Sequence, residues 1–247
     1  MVTLIMNRAL VISDNLELTS YLKHCAEESG VLNNCHIDYN YSFINKSPEK
    51  LIELGLSPIN LKESHIIDEL IKKYTVIISL HCKQIFPTRL VESVRCINIH
   101  PGFNPYNRGW FPQVFSIING KPVGVTIHLM DTEIDHGNII YQEKVPVFSY
   151  DTSETIYLRV LSTEKKLLKT HIHELLLGES SGFSPISEGN YNSISDFNKL
   201  CELDLNDQGT LRDHINLLRA LTHGEIRNAY FIDEQGSKVF VKIRLES

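Results

Sequence analysis

The chain has 247 residues, 42% hydrophobic and 22% charged, a balance that suits a water-soluble globular protein with a full core. Its formal net charge of -6 excludes a general nucleic-acid surface, because phosphate backbones are bound by clustered Lys and Arg. Five cysteines (Cys25, Cys35, Cys82, Cys96, Cys201) form no C-x-x-C pair, which predicts reduced thiols, small hydrophobes in or near the core and a cytoplasmic setting.

Residues 1–12 are apolar, but Arg8 interrupts them, Asp14 follows and no small-residue cleavage site appears, so they do not read as a secretion signal. No later run approaches the apolar length of a membrane span. Residues 9–13 predict a buried strand. Asp14-Asn15 then supplies cap chemistry for a helix to about Glu28, with Leu16, Leu18, Tyr21, Leu22 and Cys25 at helical spacing. A strand over 36–41 completes a parallel βαβ unit. The first turn reads Ser13-Asp14-Asn15 instead of G-x-G-x-x-G, so a nicotinamide cofactor is not indicated. Residues 42–64 read as a polar loop with one short helical piece. A helix over 66–74 then feeds the strand 76–80, which ends in His81-Cys82-Lys83-Gln84-Ile85-Phe86-Pro87.

The chemistry concentrates in residues 96–147. An apolar strand ends in Asn98-Ile99-His100-Pro101-Gly102, and because side chains alternate along a strand, Asn98 and His100 emerge on one face. That end is the carboxyl end, where open α/β sheets place their ligands. A loop with Tyr106, Asn107, Arg108 and Trp110 and a short helix follow. A second strand over 125–130 then delivers an acidic loop, 131–135, able to return Asp135 to the same crevice. On spacing alone an N-x-H pair or an Asp before Gly is weak evidence, since Asp-x-Gly is turn chemistry. Residues 152–177 predict a long helix opening on the cap-like Asp151-Thr152-Ser153-Glu154. The Gly- and Ser-rich stretch 178–192 predicts a linker. Beyond it come a helix over 211–221 and two strands, 228–232 and 238–245, around the turn Asp233-Glu234-Gln235-Gly236. The expected fold is α/β, a Rossmann-like and mostly parallel sheet flanked by helices. The expected domains are a catalytic one over 1–178 and a C-terminal linker, helix and β-hairpin subdomain over 179–247.

The ordered run Asn98-Ile99-His100-Pro101, Asn107-Arg108-Gly109, His128 and Asp135-His136-Gly137-Asn138-Ile139-Ile140 resembles the signature of the 10-formyltetrahydrofolate-dependent formyltransferases. The loop NPYNRGWFPQVFSIINGKPVG, where purine-type members carry HPSLLP, is similar to the nucleotide-sugar N-formyltransferase branch. The resemblance implies Asn98, His100 and Asp135 as the catalytic set, with Asn98 and an imidazolium of His100 donating to the oxyanion. Asp135 would orient His100 and raise its pKa. It implies folate contacts from Cys82, Lys83, Gln84, Ile85, Leu90, Val91 and Asp131. Acceptor contacts fall to Tyr106, Asn107, Arg108, Trp110, Tyr230 and Phe231, with Arg108 suited to a pyrophosphate; Lys83 is a weaker candidate for that task. For Arg108 a surface ion pair, for His128 a satisfied core position, and for Tyr230 or Phe231 simple hairpin packing stay open.

The implied reaction is formylation of a dTDP-linked amino sugar, dTDP-4-amino-4,6-dideoxyglucose for O-antigen and lipopolysaccharide synthesis, by 10-formyltetrahydrofolate without a metal. A dTDP-3-amino-3,6-dideoxyhexose is the nearest alternative acceptor. Other classes are a formyltetrahydrofolate hydrolase, a non-catalytic folate or nucleotide-binding module, and a metal site of His100, His128 and Asp135. The implied partners are the dTDP-amino sugar and a second copy in a homodimer, with no nucleic acid and no membrane.

Overall fold

Three strands rich in Val, Ile and Leu are wholly or almost wholly buried, which is what a parallel sheet covered on both faces requires. They are β1 (Asn7–Ser13), β4 (Val76–Leu80) and β5 (Arg95–His100). The structure is a computed structural model that describes residues 6–246; residues 1–5, the start of the N-terminal run discussed above, lie outside it. The other strands are β2 (Cys35–Ser42), β3 (Ser57–Ile59), β6 (Arg108–Gly109), β7 (Gly124–Leu129), β8 (Ile139–Lys144), β9 (Tyr191–Asn192), β10 (Tyr230–Ile232) and β11 (Lys238–Phe240). The helices are α1 (Leu16–Ser29), α2 (Glu49–Glu53), α3 (Ser64–Lys73), α4 (Thr88–Ser93), α5 (Pro112–Asn119), α6 (Ser153–Leu177), α7 (Ile194–Cys201) and α8 (Leu211–Leu221). No described helix is long and apolar enough to cross a membrane.

The chain forms two compact units. The first comprises the residues up to His100, Thr126–Gln142 and Glu164–Pro185; the second comprises Pro101–Val125, Glu143–Thr163 and the residues from Ile186 onward. The sheet has the order β3-β2-β1-β4-β5-β7-β8. Strands β3, β2, β1, β4 and β5 are parallel, and β7 runs antiparallel to β5 with Asn98 opposite His128 and His100 opposite Thr126. The expected α/β architecture is therefore present as a mixed, mostly parallel sheet.

Local chemistry explains the first crossover. Asn15 caps α1 by accepting from the Leu18 N–H, and Gly30 ends it at φ 75°, where a side chain would be strained. Leu18, Leu22, Cys25 and Ala26 supply the buried face. A cluster of Leu10, Ile12, Ile67, Leu70, Ile77, Phe86, Leu90 and Cys96 packs together in the same unit.

Three differences from expectation have physical causes. Strand β3 is short and half exposed, so its Ser-Pro-Ile carries no alternating pattern. The Gly- and Ser-rich stretch is tied down, through Phe183 to Ile139 in the first unit and through β9 to β6 in the second. Helix α7 follows it with a capping box of Ser193 and Asp196. The hairpin strands β10 and β11 are shorter than the runs 228–232 and 238–245.

Candidate active site

Strand β5 ends at His100 and carries Asn98 two residues earlier on the same face. Its pairing with β7 brings His128 opposite Asn98. After β7 the chain folds back: the Leu129 N–H donates to the Asn138 carbonyl (2.8 Å) and the Met130 N–H to the Cys96 carbonyl (2.8 Å). Asp131 braces this loop by accepting from the Glu133 N–H (2.9 Å) and lying 2.7 Å from His136 Nδ1. Asp135 takes a left-handed φ of 51°, a conformation Asp tolerates better than most residues. Gly137 fits only as glycine, since a Cβ there would collide with the Leu129 carbonyl.

Asn98, His100, His128 and Asp135 meet. Asn98 Nδ2 donates to Asp135 Oδ1 at 2.8 Å and lies 3.4 Å from His128 Nε2. His128 Nδ1 is 2.8 Å from the Leu129 carbonyl, so that nitrogen carries the proton and Nε2 accepts from Asn98. Asp135 Oδ2 is 3.4 Å from His100 Nδ1. His100 Nε2 is buried and has no hydrogen-bond partner among the described residues. An orphaned buried nitrogen beside an oriented ring is where a reacting group would complete the arrangement.

One expectation for this cluster is corrected. The pKa of His100 is lowered from its ordinary 6.5 to about 4, not raised: burial is the largest cause and outweighs the attraction of Asp135. The ring is thus a neutral imidazole at pH 7, with a lone pair at Nε2 once Nδ1–H faces Asp135. The amide nitrogen of Asn98 is directed at Asp135 and His128.

The loop 82–85 sits at the carboxyl end of β4. Its Lys83 N–H donates to Asp14 Oδ2 (2.7 Å), and Asp14 also holds the Ser42 hydroxyl, the Ser42 N–H (3.1 Å) and Asn45 Nδ2 (2.9 Å). One carboxylate thereby ties the turns after β1, β2 and β4. Gln84 spends its side chain on main chain, donating to the Ile59 carbonyl (2.9 Å) and accepting from the Leu61 N–H (3.0 Å). Ile85 is 77% exposed, an unusual position for a large aliphatic side chain. The Cys82 thiol, pushed up to about 11 by burial, stays protonated and packs beside the Ser42 hydroxyl. Leu90 is entirely within the core, with Val91 packed against the same cluster, so Leu90 offers no surface to a ligand.

In the second unit, Asn107 has no exposed surface and φ 52°. Its Nδ2 donates to Ser116 Oγ (2.9 Å) and its Oδ1 accepts from Asn119 and Asn190 (2.8 Å each). These bonds give it a framework role in place of the expected substrate contact. Arg108 is nearly buried and pairs with the exposed Glu188 at 2.9 Å. Trp110 is 46% exposed, beside Phe111, whose ring packs tilted against Phe197 with centroids 4.2 Å apart. Tyr106 lies under Lys121 Nζ (5.9 Å). Tyr230 donates to Glu202 Oε2 (3.0 Å), with Lys238 Nζ 3.6 Å above its ring, and Phe231 is partly buried in the hairpin.

Residues 20–172 match the formyl transferase family, and 196–247 match the N-formyltransferase dimerization C-terminal domain. The chain belongs to the formyl transferase family. Within it the branch is that of the sugar N-formyltransferases, and the family is folate-dependent. A dTDP-4-amino-4,6-dideoxyglucose formyltransferase of Mycobacterium tuberculosis is 50% identical over 73% of this chain and 77% of its own. A sugar N-formyltransferase from a Shewanella species superimposes with TM-score 0.96 at 51% identity, over 98% of this chain and 99% of its own. A 4-N formyltransferase of Francisella tularensis does so with TM-score 0.89 at 45% identity, over the same shares. Asp14, Ser42, His81 and Glu164 were not singled out as functional from sequence. The available signal was that each polar residue but Glu164 stands at or just beyond the carboxyl end of a strand.

Proposed function

We propose that this sugar N-formyltransferase transfers the formyl group of 10-formyltetrahydrofolate to the 4-amino group of dTDP-4-amino-4,6-dideoxyglucose, for O-antigen and lipopolysaccharide synthesis. The observation that carries the chemistry is the buried His100, with Nδ1 toward Asp135 and Nε2 without a partner among the described residues, where burial favours the neutral ring. A neutral imidazole is a proton acceptor before it is a donor. As the sugar amine bonds to the formyl carbon, His100 Nε2 takes a proton from the nitrogen. Asp135 stabilises the imidazolium so formed, and His100 returns the proton to N10 as the carbon–N10 bond breaks. The products are a formamide and tetrahydrofolate, and the balance needs no metal and no covalent enzyme intermediate. Asn98 holds Asp135 in place and is one hydrogen-bond exchange away from meeting the oxyanion.

Folate contacts are assigned to loop 82–85, with Ile85 the exposed apolar group, and to Val91 and Asp131 of the same unit. Acceptor contacts are assigned to Tyr106, Trp110, Arg108, Tyr230 and Phe231 of the second unit, Trp110 being the exposed aromatic surface suited to stacking. Arg108 would meet a pyrophosphate only by leaving Glu188. The 4-amino assignment rests on likeness to the Mycobacterium and Francisella proteins and is the point to test. Purified protein with 10-formyltetrahydrofolate should show a higher kcat/KM for the 4-amino dTDP sugar than for a 3-amino-3,6-dideoxyhexose. The reverse ranking would move the reaction to the 3-amino acceptor.

A further inference from the structure

Asp14 stands directly after β1, and the reaction described above gives it no task. Its carboxylate takes up donors from the turns that follow two neighbouring parallel strands, β2 and β4. Oδ1 accepts from the Ser42 N–H (3.1 Å) and from Asn45 Nδ2 (2.9 Å), while Oδ2 accepts from the Lys83 N–H (2.7 Å) and the Ser42 hydroxyl. An ionised carboxylate offers about four acceptor positions and no donor, so these four groups saturate it. An Asn in its place would turn an NH₂ donor onto groups that themselves donate.

The bond to Lys83 falls in the middle of a loop that is held residue by residue. His81 lies 3.3 Å from Asn15 Nδ2 and 2.8 Å from the buried Glu164 of α6. The Cys82 thiol is 3.3 Å from the Ser42 hydroxyl, and the Lys83 N–H reaches that same hydroxyl at 3.2 Å. Gln84 is tied to the main chain of Ile59 and Leu61. Residues 81–84 are thereby fixed, and Ile85 stands out from them, 77% exposed. Among these ties the one from Asp14 is charge-assisted and holds main chain, so it sets the path of the backbone.

We propose that Asp14 is a positioning residue for the folate co-substrate, which holds loop 82–85 in its binding shape before the ligand arrives. This rests on the assignment of that loop to 10-formyltetrahydrofolate. Its acceptor positions are filled by protein, so Asp14 acts through the loop and touches no reacting atom. A loop that must order on binding weakens affinity and leaves the chemistry of the bound complex alone. The signature is therefore an effect on one substrate.

Asp14→Asn should weaken the binding of tetrahydrofolate, measured by calorimetry without acceptor, roughly tenfold. The KM for 10-formyltetrahydrofolate should rise with it, while kcat and the KM for the dTDP sugar change by less than about threefold. If Asp14→Asn does not fold, Ser42→Ala removes one of the four donors and the second acceptor of the Lys83 N–H, and should give a smaller rise in the folate KM alone. Ile85→Ser, at an exposed position, tests the loop assignment itself and should also weaken tetrahydrofolate binding. Weaker binding in Ile85→Ser with unchanged binding in folded Asp14→Asn would overturn the proposal and leave the folate reading standing. Unchanged binding in both variants would remove the loop assignment and the proposal together. A KM that rises equally for both substrates would make Asp14 a brace of the fold and overturn its role toward folate.

Discussion

At the scale of single residues, the decisive fact is that His100 is easier to protonate in the unfolded chain than in the folded one. Its folded pKa, about 4, lies below its ordinary 6.5, so as the pH falls the unfolded state takes the proton first. The stability tied to the neutral ring is present above about pH 6.5 and is lost as the pH falls through about 4, a contribution of about 3 kcal/mol. Urea unfolding at pH 7 and pH 4 should therefore show a smaller acid loss for His100→Asn than for the wild type. The same variant should lower kcat by about 10²–10⁴, the usual range for removing a proton-transfer group. Equal acid sensitivity in the two proteins would mean that the ring is not desolvated as described. Asn107 makes the opposite kind of prediction, since all its bonds are internal. Asn107→Ala should cost about 2–4 kcal/mol, from several lost buried hydrogen bonds and an unfavourable left-handed alanine, measured as a lower unfolding midpoint. Full stability with a raised KM for the acceptor would instead return Asn107 to the substrate.

Elements decide where these residues can meet. The loop from Asp131 to Asn138 carries Asp135 back to β5 because Asp131 braces its start and the Leu129–Asn138 bond closes its end. Gly137→Ala should break that return by forcing a Cβ into the Leu129 carbonyl, with a loss of about 1–3 kcal/mol and a fall in kcat. Paired urea and turnover measurements would check both. The central strands and the Asn98–His100 alternation were legible in the sequence, because buried parallel strands are written as apolar runs and a strand has period 2. The antiparallel direction of β7 was not legible, since alternation carries no direction. Asp14 was visible only as helix-cap chemistry, whereas Asn15 does the capping and Asp14 ties three turns together. Glu164 was hidden inside the apolar period of α6, where nothing local distinguishes a buried carboxylate from a solvated one. The sign of the His100 shift was missed for a related reason: the motif shows the attracting carboxylate, while the burial that outweighs it comes from the whole fold.

At the scale of the whole molecule, the C-terminal residues 196–247 match a dimerization domain, and a homodimer is the proposed state. Leu211, Ile215, Val239 and Phe240 are exposed apolar side chains on α8 and β11, the kind a partner chain would cover. Leu211→Glu puts an acid in the first turn of α8, where a helix tolerates it well, and should shift the light-scattering mass from two chains toward one. A wild-type mass of one chain at micromolar concentration would rule the homodimer out.

The most direct measurement of formyl transfer follows the acyl carbon itself. With 10-formyltetrahydrofolate labelled with carbon-13 on the formyl group and dTDP-4-amino-4,6-dideoxyglucose as acceptor, the label should appear as a sugar formamide in step with the tetrahydrofolate released, and His100→Asn should slow both signals together by about 10²–10⁴. Label appearing as free formate, or formamide forming at an undiminished rate in the His100 variant, would contradict the role assigned to this site.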